Sequence, residues 1–495
     1  MKFTHIFIFI LSVGLFAGCE DLAELNENPN QPEDVGPDVL LTAATRGAVN
    51  SLVTESFLIG NNAAQLTAKT LRAEVDVYDW NAFPTVWEEQ KKALANLGEM
   101  MQRARALSNE TGNTTIEGVA TVMEVYLFSV LTNAYGDIPY TEAITGSSSG
   151  NFFPKYDRQE DIYLGPVGML EELRIANDLL DPAAGAVGGD ILFGGDIMKW
   201  KKFCNSLRLR LLMHVSNKTD VSAEFNDIVM NEPIMTSNDD NAALVYLSNF
   251  PNEFPLIPLK QGDFDAVVMS DRSIAVMEGY NDPRLDRFAR PDNILNLATE
   301  DPMFDGADNG SENASLCDKS GSRLGLAYYN YPGHPIAAQA DGLLMTWAEV
   351  EFLLAEGALK GWISADPAVH YRNGIQASME YYQVNFMDFG WSDFNDFYSN
   401  SGVAYDPAEP LKIWEQKWLS LFFTGLEPYF EVRRWLAENS FDWDAVPFVR
   451  PTCQNVNDDK LPVRFPYPGE EQSLNTENYN EAVERLGSNS QNALM

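Results

Sequence analysis

Apolar positions recur at helical spacing through much of this chain. Between Glu117 and Asn133, Val119, Val122, Met123, Tyr126 and Val130 share one face of a 3.6-residue period, which predicts a buried helix. Lys199 to Asn217 repeats the pattern with Trp200, Phe203, Leu207, Leu211 and Val215, and Leu344 to Gly361 gives a third helix stopped by Gly361. Ile413 to Phe423 is a fourth. Thr424 and Gly425 then turn the chain into a fifth, which starts at Glu427-Pro428 and runs through Arg433, Arg434 and Trp435. Helix, tight turn, helix is the unit of stacked helical-hairpin folds, although no strict 34-residue repeat is present. Strand signals are short and scattered, as at Ala242 to Leu247. Gly-, Asn- and Asp-rich stretches at 181–196, 236–265, 291–342 and 386–410 separate the helices; so much irregular chain points to a binding surface.

The first residues have a different pattern. A basic start at Lys2, an apolar run from Ile6 to Phe16 and then small residues read as a secretory signal, too short to span a membrane. The signal closes on Leu15-Phe16-Ala17-Gly18-Cys19, which resembles a bacterial lipobox, in which the Cys becomes the lipidated first residue. Buried acyl chains contribute about 0.8 kcal/mol per methylene, so more than one chain anchors a protein stably. Glu20 and Asp21 resemble an export signal to the outer face of Gram-negative cells, and Asn26 to Pro32 is a polar, Pro-broken tether. The expected organisation is a signal at 1–18, a lipidated tether at 19–38 and a single domain at 39–495.

Charge narrows the partners. Asp and Glu number 72 against 34 Lys and Arg in 495 residues, a net charge of -38, which argues against nucleic acid and against docking on anionic lipid through a basic patch. The densest basic cluster, Lys199, Lys201, Lys202, Arg208 and Arg210, reads as a solvated face with ion pairs. Beyond Cys19, Cys204 falls on an apolar helix side and reads as core. Cys317 and Cys453 are free to pair or to stay apart, and no CxxC or Cys/His cluster suggests a metal.

Catalytic constellations are weak. His214 lies on a helix, and His334 and His370 lack partners at recognisable spacing. Gly146 to Gly150 matches GxSxG in a low-complexity loop, without the strand and helix that a nucleophile elbow needs. Glu349 and Glu356, seven apart on one helix face, could form a glycosidase acid pair, but Arg433 and Arg434 on a neighbouring helix are better read as their structural partners. Asp305, Asp308 and Glu312 could offer oxygens to Ca²⁺, at a spacing unlike an EF-hand. No other cofactor is expected.

Five segments, with the lipobox and the tether, resemble the SusD family of outer-membrane glycan-binding lipoproteins, in its SusD-like subgroup. They are Tyr135 to Ala143 (YGDIPYTEA), Lys199 to Val215, Thr346 to Gly361 (TWAEVEFLLAEGALKG), Ile413 to Trp435 (IWEQKWLSLFFTGLEPYFEVRRW) and Leu461 to Ala482 (LPVRFPYPGEEQSLNTENYNEA). The resemblance implies a mostly α fold of tetratricopeptide-like helix pairs with few short strands and a loop-rich ligand-binding face. It also implies an outer-membrane location facing the cell exterior, no catalysis, and delivery of oligosaccharides to a SusC-like TonB-dependent transporter. Some relatives serve peptides or other nutrients instead; a glycosidase and a purely structural or assembly lipoprotein are the remaining readings.

These segments are scaffold, so ligand contacts are read from chemistry. Sugars stack their C–H faces on rings and need Asn, Asp, Gln or Arg for their hydroxyls. Trp80, with Tyr78, Asp79 and Asn81, is the first candidate, at the early loop where the resemblance places ligand aromatics. Tyr328, Tyr329 and Tyr331 come next, then Trp391 and Phe394, while Trp87 reads as core. The acidic excess favours a neutral glycan unless the Lys199–Arg210 cluster or another basic patch is exposed.

Overall fold

Local signals set where the helices begin and end. Pro37, Pro84 and Pro367 occupy first turns, where the missing N–H costs nothing; the Asp196, Thr346 and Asp366 side chains accept from the first free amides of their helices. The structure, a computed structural model, describes residues 35–247, 249–292, 302–325, 340–446 and 453–493. The helices of ten residues or more are α1 (Pro37–Glu55), α2 (Pro84–Thr111), α3 (Thr115–Tyr135), α4 (Met169–Leu179), α5 (Ile197–Val215) and α6 (Ser222–Asn231), then α7 (Asp271–Tyr280), α8 (Trp347–Leu359), α9 (Pro367–Tyr381), α10 (Leu411–Ser420), α11 (Glu427–Glu438) and α12 (Thr476–Leu486). Consecutive helices pack on one another from α1 through α5; α5 then meets α8, which packs on α9 and α10. This is the expected mostly α stack of tetratricopeptide-like helix pairs. The α3 helix is long and apolar enough to cross a membrane, yet 78% of its most apolar stretch is buried against its neighbours.

The strands are short. Thr67–Lys69 (β1) pairs antiparallel with Val267–Met269 (β3), and Ala242–Leu244 (β2) with Gly342–Met345 (β4). The helix expected from Leu344 therefore starts three residues later. Leu344 is held in β4, and Thr346 Oγ1 accepts from the Glu349 amide at 3.2 Å, so the helix begins at Trp347. The helix expected from Ile413 ends at Ser420. The chain turns through Phe423 and Gly425, both at positive φ, and runs against Gly60, where an added Cβ would lie 2.2 Å from the Gly425 carbonyl oxygen. Cys317 and Cys453 form a disulfide with Cα atoms 5.6 Å apart, and Cys204 is buried and free, as read from its helix face.

Buried charge joins the helices. Arg210 on α5 grips Glu349 on α8 through two bonds of 2.6 Å, and its second terminal nitrogen also reaches the Leu344 carbonyl at 2.9 Å. Glu356 on α8 receives Arg434 of α11 at 2.7 Å and Lys417 of α10 at 3.0 Å, and both cations also bind Glu431 of α11. His214 on α5 lies 2.8 Å from Glu427 and 3.5 Å from Glu431. Four carboxylates thus face Arg210, Lys417 and Arg434, and a protonated His214 brings the balance to four against four. Two expectations change here. Arg208 and Arg210 are buried in ion pairs, so the basic cluster on α5 is not a solvated face. Arg434 does pair with Glu356, but Arg433 donates to the Asn133 and Val463 carbonyls, and the partner of Glu349 is Arg210.

Removing one member of such a group strands buried charge. Glu431→Gln is expected to cost about 3–5 kcal/mol in chemical denaturation. Burial pushes the His214 imidazole down, but Glu427 and Glu431 outweigh it and raise the pKa above the ordinary 6.5. A raised folded pKa stabilises fully below the unfolded value and loses that stabilisation as pH rises through the folded one. The stability of the parent relative to His214→Gln should therefore shrink as pH rises above about 6.5; a difference that stays flat, or grows with rising pH, would contradict a raised His214 pKa.

Candidate ligand-binding cavity

A cavity of about 280 Å³ opens where the irregular segments meet. Asn238 reaches it from the 236–265 loop, Asp341 from the end of the 291–342 loop, and Arg287 from the turn after α7. Glu380, Tyr381, Tyr382 and Gln383 arrive at the end of α9, where Gln383 adopts φ 50° and stops the helix. Tyr382 is the anchor: its ring meets Tyr381 edge-on at 4.9 Å and Phe288 at 4.7 Å, and its hydroxyl donates to the Phe422 carbonyl at 3.1 Å. Phe288 in turn stacks on Phe422 with centroids 4.3 Å apart. This aromatic base holds Tyr381 half-buried, with its hydroxyl donating to Asp341 Oδ2 at 3.2 Å.

The polar groups around that ring are poised for hydroxyls. Burial raises the Asp341 carboxyl above its usual range, and the Tyr381 hydrogen bond lowers it in part. Arg287 is half-buried; its Nε is buried without a hydrogen-bond partner among the described residues, and no carboxylate there forms an ion pair with it. The guanidinium lines the cavity and can offer donors there to an incoming acceptor. Glu380 and Gln383 are exposed at the rim. A ring, a carboxylate, an amide and a guanidinium around a space just under the roughly 300–1,000 Å³ of pockets that enclose larger ligands suit one sugar ring or a chain end.

The residues expected from sequence lie elsewhere. Trp80 is only 6% exposed, edge-on to Phe83, Tyr429 and Phe465 at 5.9, 5.1 and 5.4 Å, with its indole N–H on the Val75 carbonyl at 3.0 Å. Enclosed by these rings, it is a packing residue and offers no flat platform to a sugar. Tyr78 is buried beside it, and its phenol is pushed far up by that burial. The cover comes from the far end of the chain: Gln491 accepts from the Trp80 amide and donates to the Tyr78 carbonyl, each at 2.7 Å, and the Val456 amide binds the Val77 carbonyl. Asp79 and Asn81 stay exposed, and Asn81 caps the Phe83 amide at 2.8 Å. Trp87 is buried, as expected of core. Trp391 donates to the Asn281 carbonyl, and Phe394 is buried.

Tyr328, Tyr329, Tyr331 and Cys19 lie outside the described residues. Of the residues flanking the tyrosines, Ala340 lines the cavity and Gly325 binds the Phe288 carbonyl at its base. The carboxylates considered for calcium accept backbone amides: Asp308 from Asp318, Asp305 from Gly306 and Glu312 from Arg72. Sequence reading missed Arg287, Asp341 and Tyr381. Asp341 sits one residue inside a loop boundary that was recognised, whereas Tyr381 looked like any helix-end ring.

No curated protein matches the sequence. Solved structures share the fold. Two SusD homologues of Bacteroides fragilis NCTC 9343 align at 25% and 26% identity with TM-scores of 0.74 and 0.76, each over 93% of this chain and 99% of the other. A chitin-binding SusD homologue from Flavobacterium johnsoniae aligns at 20% identity and a TM-score of 0.71, over 92% and 97% of the two chains. A family model described as starch-binding and associating with the outer membrane matches residues 29–468, and on that match the chain belongs to the SusD-like family.

Proposed function

We propose that this protein captures oligosaccharides at the cell surface without modifying them, holding one sugar ring in the Arg287–Asp341–Tyr381 cavity. The observation that carries the reading is that cavity: a half-exposed ring on a rigid aromatic base, beside Arg287, which forms no ion pair among the described residues, and Asp341 with acceptor capacity left over. Carbohydrate recognition needs this combination, because C–H faces seek rings and hydroxyls seek paired donors and acceptors. Support also comes from the family's starch-binding description and from the chitin-binding relative. A lipid on Cys19 would hold the protein at the outer membrane, the 19–38 tether would give it reach, and a SusC-like TonB-dependent transporter would receive the glycan.

Calorimetry or affinity electrophoresis of the purified protein against a panel of neutral glycans is expected to find a binder. Tyr381→Ala should weaken it about tenfold or more in a protein that still melts cooperatively. Binding of peptides alone, release of cleaved sugars, or a folded Tyr381→Ala variant with unchanged affinity would overturn the reading. Trp80→Ala is expected to act on stability, by about 3–5 kcal/mol, and to leave the affinity of the folded fraction unchanged.

A further inference from the structure

A second, larger cleft, of about 1120 Å³, lies on the helical side of the molecule, between the end of α5, α11, α12 and the Arg158–Leu164 segment. Its cations are unusual for so acidic a chain. Arg434 and His214 are consumed by the buried carboxylates beneath, and Arg485 is held by Asp137 at 2.7 Å and Glu481 at 2.8 Å. Arg158, Lys218 and Arg433 remain, and none of them forms an ion pair among the described residues; the cleft acid left to oppose them is the exposed Glu160.

Arg433 is the best placed of the three. One terminal nitrogen donates to the Asn133 and Val463 carbonyls, both at 2.6 Å, and the guanidinium lies 5.4 Å and 5.3 Å from the Tyr429 and Phe430 ring centres. The Tyr429 hydroxyl draws on the same guanidinium, which forms no ion pair among the described residues, so a fixed cation remains for a carboxylate. Phe441, 44% exposed, gives the cleft an apolar lip. Asn217 and Thr219 add exposed groups for hydroxyls.

We infer that this cleft binds a carboxylate-bearing sugar, a uronic acid unit of an oligosaccharide, with Arg433 gripping the carboxylate and Arg158 and Lys218 adding attraction. The inference rests on reading the chain as a glycan binder and extends it to a second, charge-selective site. It also moves the exposed basic patch that an acidic glycan requires: the patch is not the α5 cluster, whose arginines are buried in ion pairs, but this cleft. Because the overall charge of -38 repels anions at long range, affinity should come from these local contacts, and added salt relieves the repulsion as well as screening the contacts.

The test is calorimetry of the purified protein with α-1,4-linked trigalacturonic acid and with its fully methyl-esterified form, which keeps the sugars and removes the charge. The acid is expected to bind at least about tenfold tighter than the ester at physiological salt. Arg433→Gln should weaken acid binding about tenfold or more. Because Arg433 also ties two carbonyls, the surface pair Arg158→Ala with Lys218→Ala serves as a second variant that leaves those ties intact, and it too should weaken the acid. Neither set should alter a neutral glycan held at Tyr381, and Tyr381→Ala should not alter the acid. Equal affinity for acid and ester, or acid binding that survives both cleft variants, would overturn the inference. Neutral glycans failing at Tyr381 while the acid still depends on Arg433 would overturn the cavity reading and leave the cleft standing.

Discussion

Four buried carboxylates and the cations that neutralise them are the constraint on which this molecule depends. Glu349, Glu356, Glu427 and Glu431 are fully or nearly fully removed from water, and none could remain ionised there alone. Arg210, Lys417, Arg434 and His214 meet them from α5, α10 and α11, so the register of α5, α8, α10 and α11 is set by ion pairs as well as by apolar packing. Greasy surfaces tolerate sliding, whereas a buried carboxylate that loses its cation does not. Of these helices α5 and α11 line the cleft, and α8 packs on α9, whose end presents Tyr381 and Tyr382 to the cavity. The ionic centre therefore fixes the distance between the two candidate sites.

What could be read from sequence follows how local each signal is. The five helices written in apolar periodicity formed, because period and capping act within a few residues: Thr346 and Glu427-Pro428 mark starts that the structure uses. The Glu356–Arg434 pairing was also legible, as opposite charges on neighbouring amphipathic helices. Glu349 was misassigned because its partner, Arg210, lies 139 residues earlier on a helix whose charges looked solvated. Trp80 failed for the same reason on a larger scale. Its setting between Asp79 and Asn81 has the composition of an exposed loop, but the chain returns 411 residues later to lay Gln491 over it. Local composition reports polarity and not what eventually covers it.

The acidic excess acquires a spatial meaning once the fold is known. Much of the basic content of α5 and α11 neutralises acids within the fold, so the net charge of -38 is carried by groups outside the ionic centre. Two local departures from that field coincide with cavities: Arg287 beside the aromatic cavity, and Arg158, Lys218 and Arg433 in the cleft. A surface this negative discourages nonspecific adhesion of anions, so these cavity cations, which form no ion pair among the described residues, become the selective points. The cavity suits neutral sugar chemistry with one strong donor, and the cleft suits sugar chemistry with a carboxylate.

The most direct measurement is a crystal structure of the protein bound to the neutral oligosaccharide that it holds most tightly. The expected result is an intact sugar ring against Tyr381, with hydroxyls within hydrogen-bond distance of Asp341 and Arg287. A ligand seated elsewhere with that cavity empty, or a cleaved product in it, would contradict the account.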